Sequence, residues 1–312
     1  MSLTQDSDPE VVAATEGGDG LAVLAQTRVD PVTKLTLKPP RAHGRVIVWL
    51  ATGWLVVMVF CAVFADFLPL EKYSAPVGPP RQTPGLRFDE PLGTDAIGRS
   101  QLTRVIYGGR VSLAVGVIGA AVAMVLGGLI GLIAGHFRGW VEAVIGVVMD
   151  TVLAFPSLFL LLTIAAIFTQ SLPLMVVSLA LIVTPSFARL ARASTISFAQ
   201  REFVEASRAM GATHRRIMFR ELLPNIAFPV ASYTFLMAAV IIVAEGSLSF
   251  LGLGIPPPVP SWGGMVSAGR DSLATDPSLV FVPATVLLLT VVSFNILGDR
   301  VRRRFDVRKS SL

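Results

Sequence analysis

Residues 111–135 have the sequence VSLAVGVIGAAVAMVLGGLIGLIAG, in which no side chain is charged. An α-helix rises about 1.5 Å per residue, so roughly 20 such residues cross the hydrocarbon core of a membrane. Five further runs are predominantly apolar and as long or nearly as long, at 46–68, 140–168, 172–188, 226–251 and 279–298. None alternates as a membrane β-strand would, and lipid accepts only helices or closed barrels. The sequence therefore predicts an all-α integral membrane protein with six transmembrane helices.

The composition of the 312-residue chain argues against a soluble enzyme. Hydrophobic residues make up 53% and charged residues 15%, and the mean hydropathy is +0.68, whereas a soluble domain carries about 25% charged residues. The single cysteine, Cys61, excludes an internal disulfide framework. His43, His136 and His214 are far apart in the sequence, so no metal centre is predicted. The net charge of +5 is attributed to basic cytoplasmic loops, and no nucleic-acid partner is predicted.

The distribution of basic residues predicts the orientation of the six helices. Seven arginines and three acids lie between the fourth and fifth runs, and six basic residues and two acids follow the sixth. Cytoplasmic loops are enriched in Lys and Arg. These segments, and both termini, are therefore predicted to be cytoplasmic in a multi-pass protein of the bacterial plasma (inner) membrane. The first external loop, 69–110, has six basic residues and four acids and runs against this trend.

Four parts of the chain are predicted. Residues 1–44 are polar and indicate a disordered cytoplasmic tail. Residues 45–108 contain the first helix and an external loop, whose segment 95–110 is either an amphipathic surface helix or an extension of the second span. Residues 109–298 form the main transmembrane domain, and 299–312 a basic cytoplasmic tail.

The motif inventory predicts a transport subunit rather than an enzyme. The sequence has no G-x-x-x-x-G-K-[ST] phosphate loop, no H-E-x-x-H and no G-x-S-x-G. Asp150 and Glu245 are the acids well inside the apolar runs, and they are weak candidates for contact with cargo or a coupling proton. Helix packing is the alternative role for both. Used as proton relays, they would instead fit an ion-coupled secondary transporter. Small residues in the second run, at small-xxx-small spacing, predict close helix packing.

The arginine-rich segment 189–225 is the most informative cytoplasmic loop. Arg201 to Met210 predicts a helix with Glu205 spaced to pair with Arg201 and Arg208. Gly211 is expected to end this helix in a left-handed conformation. Thr213 can then cap a second short helix that ends at Pro224. A short charged helix of this kind is suited to a groove on another protein.

This loop resembles the EAA loop of permease subunits in bacterial ABC importers. The resemblance lies in Glu205-Ala206-Ser207, in Gly211 and in Leu223-Pro224, with Ser207 in place of the second alanine. It implies a type I importer permease fold and a coupling helix that inserts into a cleft of an ATPase subunit. The positions to which it assigns this docking are Glu202, Glu205, Ala206, Ser207, Arg208 and Gly211.

Three further segments are similar to the C-type permease of the dipeptide, oligopeptide and nickel branch of these importers. They are LGTDAIGRS at 92–100, LSFLGLG at 248–254 and FNILGD at 294–299. The resemblance implies a B-type permease partner, two cytosolic ABC ATPase subunits and an external solute-binding protein. The surrounding membrane lipid is a further expected partner of this chain. ATP would be bound by the ATPase subunits, and this chain would need no cofactor. Peptides are the expected cargo, with nickel or metal chelates and glutathione as alternatives.

Overall fold

The computed structural model describes residues 43–85 and 90–309. The predicted tail 1–44 lies outside these residues except for its last two. The helices of the described part are α1 (His43–Val63), α2 (Gln101–Phe137), α3 (Gly139–Ala154), α4 (Ser157–Ile167), α5 (Leu172–Ala199), α6 (Glu202–Ala209), α7 (His214–Phe250), α8 (Trp262–Gly269) and α9 (Ser278–Lys309). This part contains isolated β-bridges but no named strand. The all-α prediction is confirmed.

Five helices are long and apolar enough to cross a membrane: α1, α2, α5, α7 and α9. The predicted run 140–168 is not one straight helix, because α3 and α4 meet at an angle of 81°. The bend lies at Phe155-Pro156, where proline lacks an N–H and disfavours the helical conformation of the preceding residue. Phe155 accordingly has the extended angles φ −77° and ψ 129°. Taken as one bent span, this pair brings the number of crossings to six.

The segment before α2 contains a turn rather than an amphipathic helix over 95–110. Asp95 accepts hydrogen bonds from the backbone N–H groups of Ile97 and Arg99, and its carboxylate lies 2.6 Å from the Arg99 Nε. The helix begins only at Gln101, where Ser100 Oγ accepts a bond from the Thr103 N–H. This helix is α2, which runs unbroken from Gln101 to Phe137. The extension of the second span is therefore the correct alternative for residues 101–110.

The main core lies between α2, α5 and α7, where glycines bring the helix backbones together. A Cβ at Gly131 would lie 2.3 Å from the Ala188 carbonyl oxygen, and one at Gly127 would lie 2.5 Å from Phe187 Cβ. At Gly135 the Thr195 Cβ would be 2.7 Å away. The prediction of close packing at small residues is confirmed. As the residue number rises along α2 from Gly127 to Gly135, the contacted residue on α5 also rises, from Phe187 to Thr195. The two helices are therefore parallel.

Two predicted helix ends are wrong. The helix after Thr213 does not stop at Pro224 but continues to Phe250 through a π-helical segment, Ile217–Leu222. The Leu223 N–H donates to the Met218 carbonyl five residues back, and this wider turn relieves the clash that proline causes in a regular α-helix. At the other end of the chain, α9 extends to Lys309, so most of the predicted tail 299–312 is helical; residues 310–312 lie outside the described part.

Candidate functional site

The segment between α5 and α7 presents one face of α6 to solvent. Glu202, Glu205, Ala206 and Arg208 are exposed, whereas Ser207 is buried. Five of the six positions assigned to docking are therefore accessible, since Gly211 is also exposed. Ser207 instead faces the body of the protein. The loop offers a short helix with charges of both signs and a small residue, Ala206, between them.

The buried face of α6 rests on a small hydrophobic cluster of its own. Val204 is fully buried there, and the periodicity that places Val204 and Ser207 on one helical face makes both point inward. The other buried members of this cluster come from α2, α5 and α7: Leu132, Ala199, Ile217, Met218, Leu222 and Ile226. This cluster is separate from the main core. It fixes α6 to the ends of three long helices.

Gly211 forms the corner after α6, as predicted. Its φ is +79°, in the left-handed region that disfavours other residues. The Gly211 N–H donates to the Arg208 carbonyl at 2.9 Å and the Ala212 N–H to the Ser207 carbonyl at 3.0 Å, the two bonds of a Schellman ending. Thr213 Oγ1 then accepts the Arg216 N–H at 3.4 Å, which confirms the predicted cap.

The charged side chains of α6 have no ion-pair partner within the described part of the chain. Glu205 does not pair with Arg201 or Arg208, although the spacing favoured both pairs, and no salt bridge involves Glu202. The predicted pairs are therefore wrong. The charges on this face are left available to another molecule.

Two of the three histidines meet beside the loop. His136 Nε2 and His214 Nδ1 are 3.0 Å apart, a hydrogen bond between the end of α2 and the start of α7. The rings are edge-on, at an angle of 79°. The sequence did not predict this contact, because the two histidines are separated by 78 positions and carry no local signal. Among the described residues, no group of three or more potential metal ligands forms.

The two candidate acids inside the apolar runs have different surroundings. Asp150 on α3 is 67% exposed and its carboxylate lies 2.6 Å from the Arg189 guanidinium of α5. Glu245 on α7 is completely buried, and its two carboxylate oxygens accept hydrogen bonds from Ser112 Oγ at 2.9 Å and Ser249 Oγ at 2.7 Å. Contact of either acid with cargo stays a prediction.

The Glu245 network joins three helices. Ser112 Oγ also accepts the backbone N–H of Trp262 at 3.2 Å, and the Trp262 indole donates to the Val105 carbonyl at 2.9 Å. A Cβ on Gly263 would lie 2.5 Å from the Gly246 Cα, so α8 and α7 touch backbone to backbone. Sequence reasoning identified the acid but missed its partners, because they are distant in the chain.

A cavity of about 1080 Å³ opens beside α6. We call it the loop-side cavity. Its walls come from α5, α6, α7 and α9, and its polar lining residues include Arg201, Glu202, Asn225, Tyr233, Asn295, Asp299 and Arg302. No local sequence pattern predicts this cavity, because it depends on how four helix ends are arranged.

Comparison with known proteins identifies the family. Residues 127–310 match the family described as the binding-protein-dependent transport system inner membrane component. The glutathione transport system permease protein GsiD of Pectobacterium atrosepticum is 36% identical over 70% of this chain and 73% of its own length. The dipeptide transport system permease protein DppC of Alkalihalophilus pseudofirmus is 36% identical over 83% of this chain and 86% of its own length.

Solved structures agree on the fold. An inward-facing structure of the MetNI methionine ABC transporter aligns with a TM-score of 0.55 over 64% of this chain and 95% of that chain, at 17% identity. The arrangement of helices is therefore that of a type I ABC importer permease. The chain belongs to the binding-protein-dependent transport system inner membrane component family, and it is a multi-pass permease subunit of an ABC importer rather than a catalytic subunit.

Proposed function

We propose that this chain forms half of the transmembrane pathway of an ATP-driven importer of short peptides. The other half would be a B-type permease subunit. Two cytosolic ABC ATPase subunits would supply the energy, and an external solute-binding protein would deliver the cargo. Similarity to permeases named for dipeptide and for glutathione, itself a tripeptide, supports peptides over nickel or metal chelates.

The observation that carries this proposal is the exposed face of α6. Glu205, Ala206 and Arg208 lie on the exposed face of α6, and Val204 packs its opposite face against the protein. Within the described residues, neither Glu205 nor Arg208 forms an ion pair. In an ATP-driven importer, a chain without a phosphate loop must receive its energy through contacts with a subunit that binds ATP. In this proposal α6 is that contact, and ATP stays in the partner subunits, so the chain itself holds no cofactor.

The orientation follows from the same assignment. With α6 at the ATPase, the arginine-rich segment and both termini face the cytoplasm, in agreement with the excess of Lys and Arg there. The connection between α1 and α2, and α8, then face the external solute-binding protein.

The proposal is tested by charge reversal on α6. In the importer assembled with its sister subunits, Glu205→Lys should leave membrane insertion intact but abolish both retention of the ATPase subunits and ATP-dependent uptake. Asp271→Lys is the matched control for ATPase retention, because Asp271 is an exposed acid (87% of its side chain) on the connection that follows α8, which in this proposal lies on the opposite side of the membrane from α6. Normal uptake by a well-expressed Glu205→Lys importer would contradict the docking role.

A further inference from the structure

The loop-side cavity has the size of a ligand site. Its volume of about 1080 Å³ slightly exceeds the usual range for small-molecule pockets, about 300–1,000 Å³, and it leaves room for a di- or tripeptide. One wall includes Glu202 and Phe203 of α6. The helix proposed to contact the ATPase therefore also borders this space.

Unpaired charges of both signs surround the cavity. Arg201 and Glu202 lie on one wall, and Asp299 and Arg302 lie on the α9 side. In the described part of the chain, none of these four side chains takes part in an ion pair or a side-chain hydrogen bond. The cavity thus offers separate anion-binding and cation-binding groups.

Hydrogen-bonding groups lie among these charges. The Asn225 Nδ2 donates to the Glu221 carbonyl at 2.6 Å, and the Asn295 Nδ2 donates to the Val291 carbonyl at 2.9 Å. Each amide nitrogen is used on its own helix, which leaves the Oδ1 atoms as acceptors for N–H groups of a ligand. The Tyr233 hydroxyl adds a group that can donate or accept.

We propose that the loop-side cavity binds a short zwitterionic peptide. At neutral pH such a peptide has a terminal ammonium and a terminal carboxylate. Arg302 and Arg201 match the carboxylate, Asp299 and Glu202 match the ammonium, and Asn225 and Asn295 match the peptide N–H groups. This inference rests on the proposed function, because it takes the cargo to be a peptide and gives its site on the α6 side of the membrane.

The test uses the purified importer complex in lipid nanodiscs, without nucleotide or solute-binding protein. Dialanine and dialanine amide, which lacks the terminal carboxylate, are titrated by calorimetry. Arg302→Gln should weaken dialanine binding about fivefold, the upper range for a partly exposed ion pair, and should leave amide binding unchanged. Arg303→Gln is the matched control, since Arg303 is the exposed next residue and does not line the cavity.

Four results would overturn the inference. The first three are no binding of dialanine to the wild-type complex, equal weakening of both ligands by Arg302→Gln, and equal weakening of dialanine by Arg303→Gln and Arg302→Gln. The fourth is an Arg302→Gln complex that binds dialanine normally but loses ATP hydrolysis, which would assign the cavity to ATPase contact.

A parallel uptake assay separates this inference from the proposed function. The wild-type importer is supplied with its solute-binding protein, ATP and labelled dialanine. Uptake without binding in the nanodisc titration would reject the loop-side site alone. Absence of uptake would reject peptide as the cargo.

Discussion

Gly211 is the residue on which the shape of the α6 corner depends. Its φ of +79° is left-handed, and a Cβ added there would meet no atom within 4 Å. Within this chain, a substitution at Gly211 therefore acts through the backbone and not through a steric clash. The sequence was sufficient to predict this corner, because a glycine after a helical run and before a capping threonine is a local signal.

Gly211→Val should cost about 1–2 kcal/mol of local stability, since a side chain disfavours the left-handed conformation. We expect uptake and coupled ATP hydrolysis to fall together, with membrane insertion unchanged. Gly211→Asn is the control, because asparagine tolerates this conformation and should keep most activity. Equal loss in the two variants would show that the backbone conformation is not the cause.

Glu245 is buried and accepts hydrogen bonds from two serine hydroxyls, so its substitution should change the stability of the protein. Glu245→Leu would leave the hydroxyls of Ser112 and Ser249 without their buried acceptor, at a cost of roughly 1–3 kcal/mol. Glu245→Gln keeps an acceptor oxygen and should cost less. Thermal unfolding of the purified importer complex measures both. A raised KM for uptake in a variant whose unfolding temperature is unchanged would instead support contact with cargo.

A seam of three glycines on α2 lies against α5. Gly127, Gly131 and Gly135 recur every four residues and face α5, whereas Gly128 is on a different face and its added Cβ would have only Val230, at 3.9 Å. The sequence predicted the close packing from the spacing. It could not name α5 as the partner, because spacing says nothing about which helix is adjacent.

Gly131→Ala should therefore push α2 and α5 apart and destabilise the complex by about 1–3 kcal/mol, as overpacking does. Gly128→Ala makes the same chemical change in open space and should be neutral or slightly stabilising, because alanine is the better helix former. The two unfolding temperatures, measured in the same detergent, test the difference. Similar values would contradict the role of the seam.

The sequence did not predict the effect of two prolines on the helices that contain or adjoin them. Pro156 produces a bend of 81° between α3 and α4, while Pro224 lies inside a continuous helix. A π-helical segment precedes Pro224, in which the Leu223 N–H donates to the Met218 carbonyl five residues back. No local sequence pattern predicts the π-helical segment. Its residues Ile217, Met218 and Leu222 pack in the hydrophobic cluster beneath α6.

The relative directions of α2 and α5 determine how many times the chain crosses the membrane. Since α2 and α5 are parallel and end beside the same loop, the chain must return across the membrane between them. Only α3 and α4 lie in that interval. The bent pair is thus the sixth crossing, and the hydropathy pattern predicted the number correctly although it missed the bend.

Six crossings place both ends of the described chain on one side of the membrane. In a Cys61→Ser background, Arg45→Cys and Arg303→Cys should react with a membrane-impermeant maleimide from the same side, and Asp271→Cys from the other. Labelling of positions 45 and 303 from opposite sides would mean five crossings. The site itself could be predicted only in part, because the loop motif is local whereas the loop-side cavity and the histidine pair require the assembled fold.

The length of α7 has a mechanical consequence. One uninterrupted helix runs from His214, which touches His136, to Phe250, just beyond the Glu245 network. At 1.5 Å per residue it spans roughly 55 Å. Because the helix is continuous over this length, it joins the loop end to the Glu245 end directly, and a tilt of the helix about its middle displaces both ends in opposite directions.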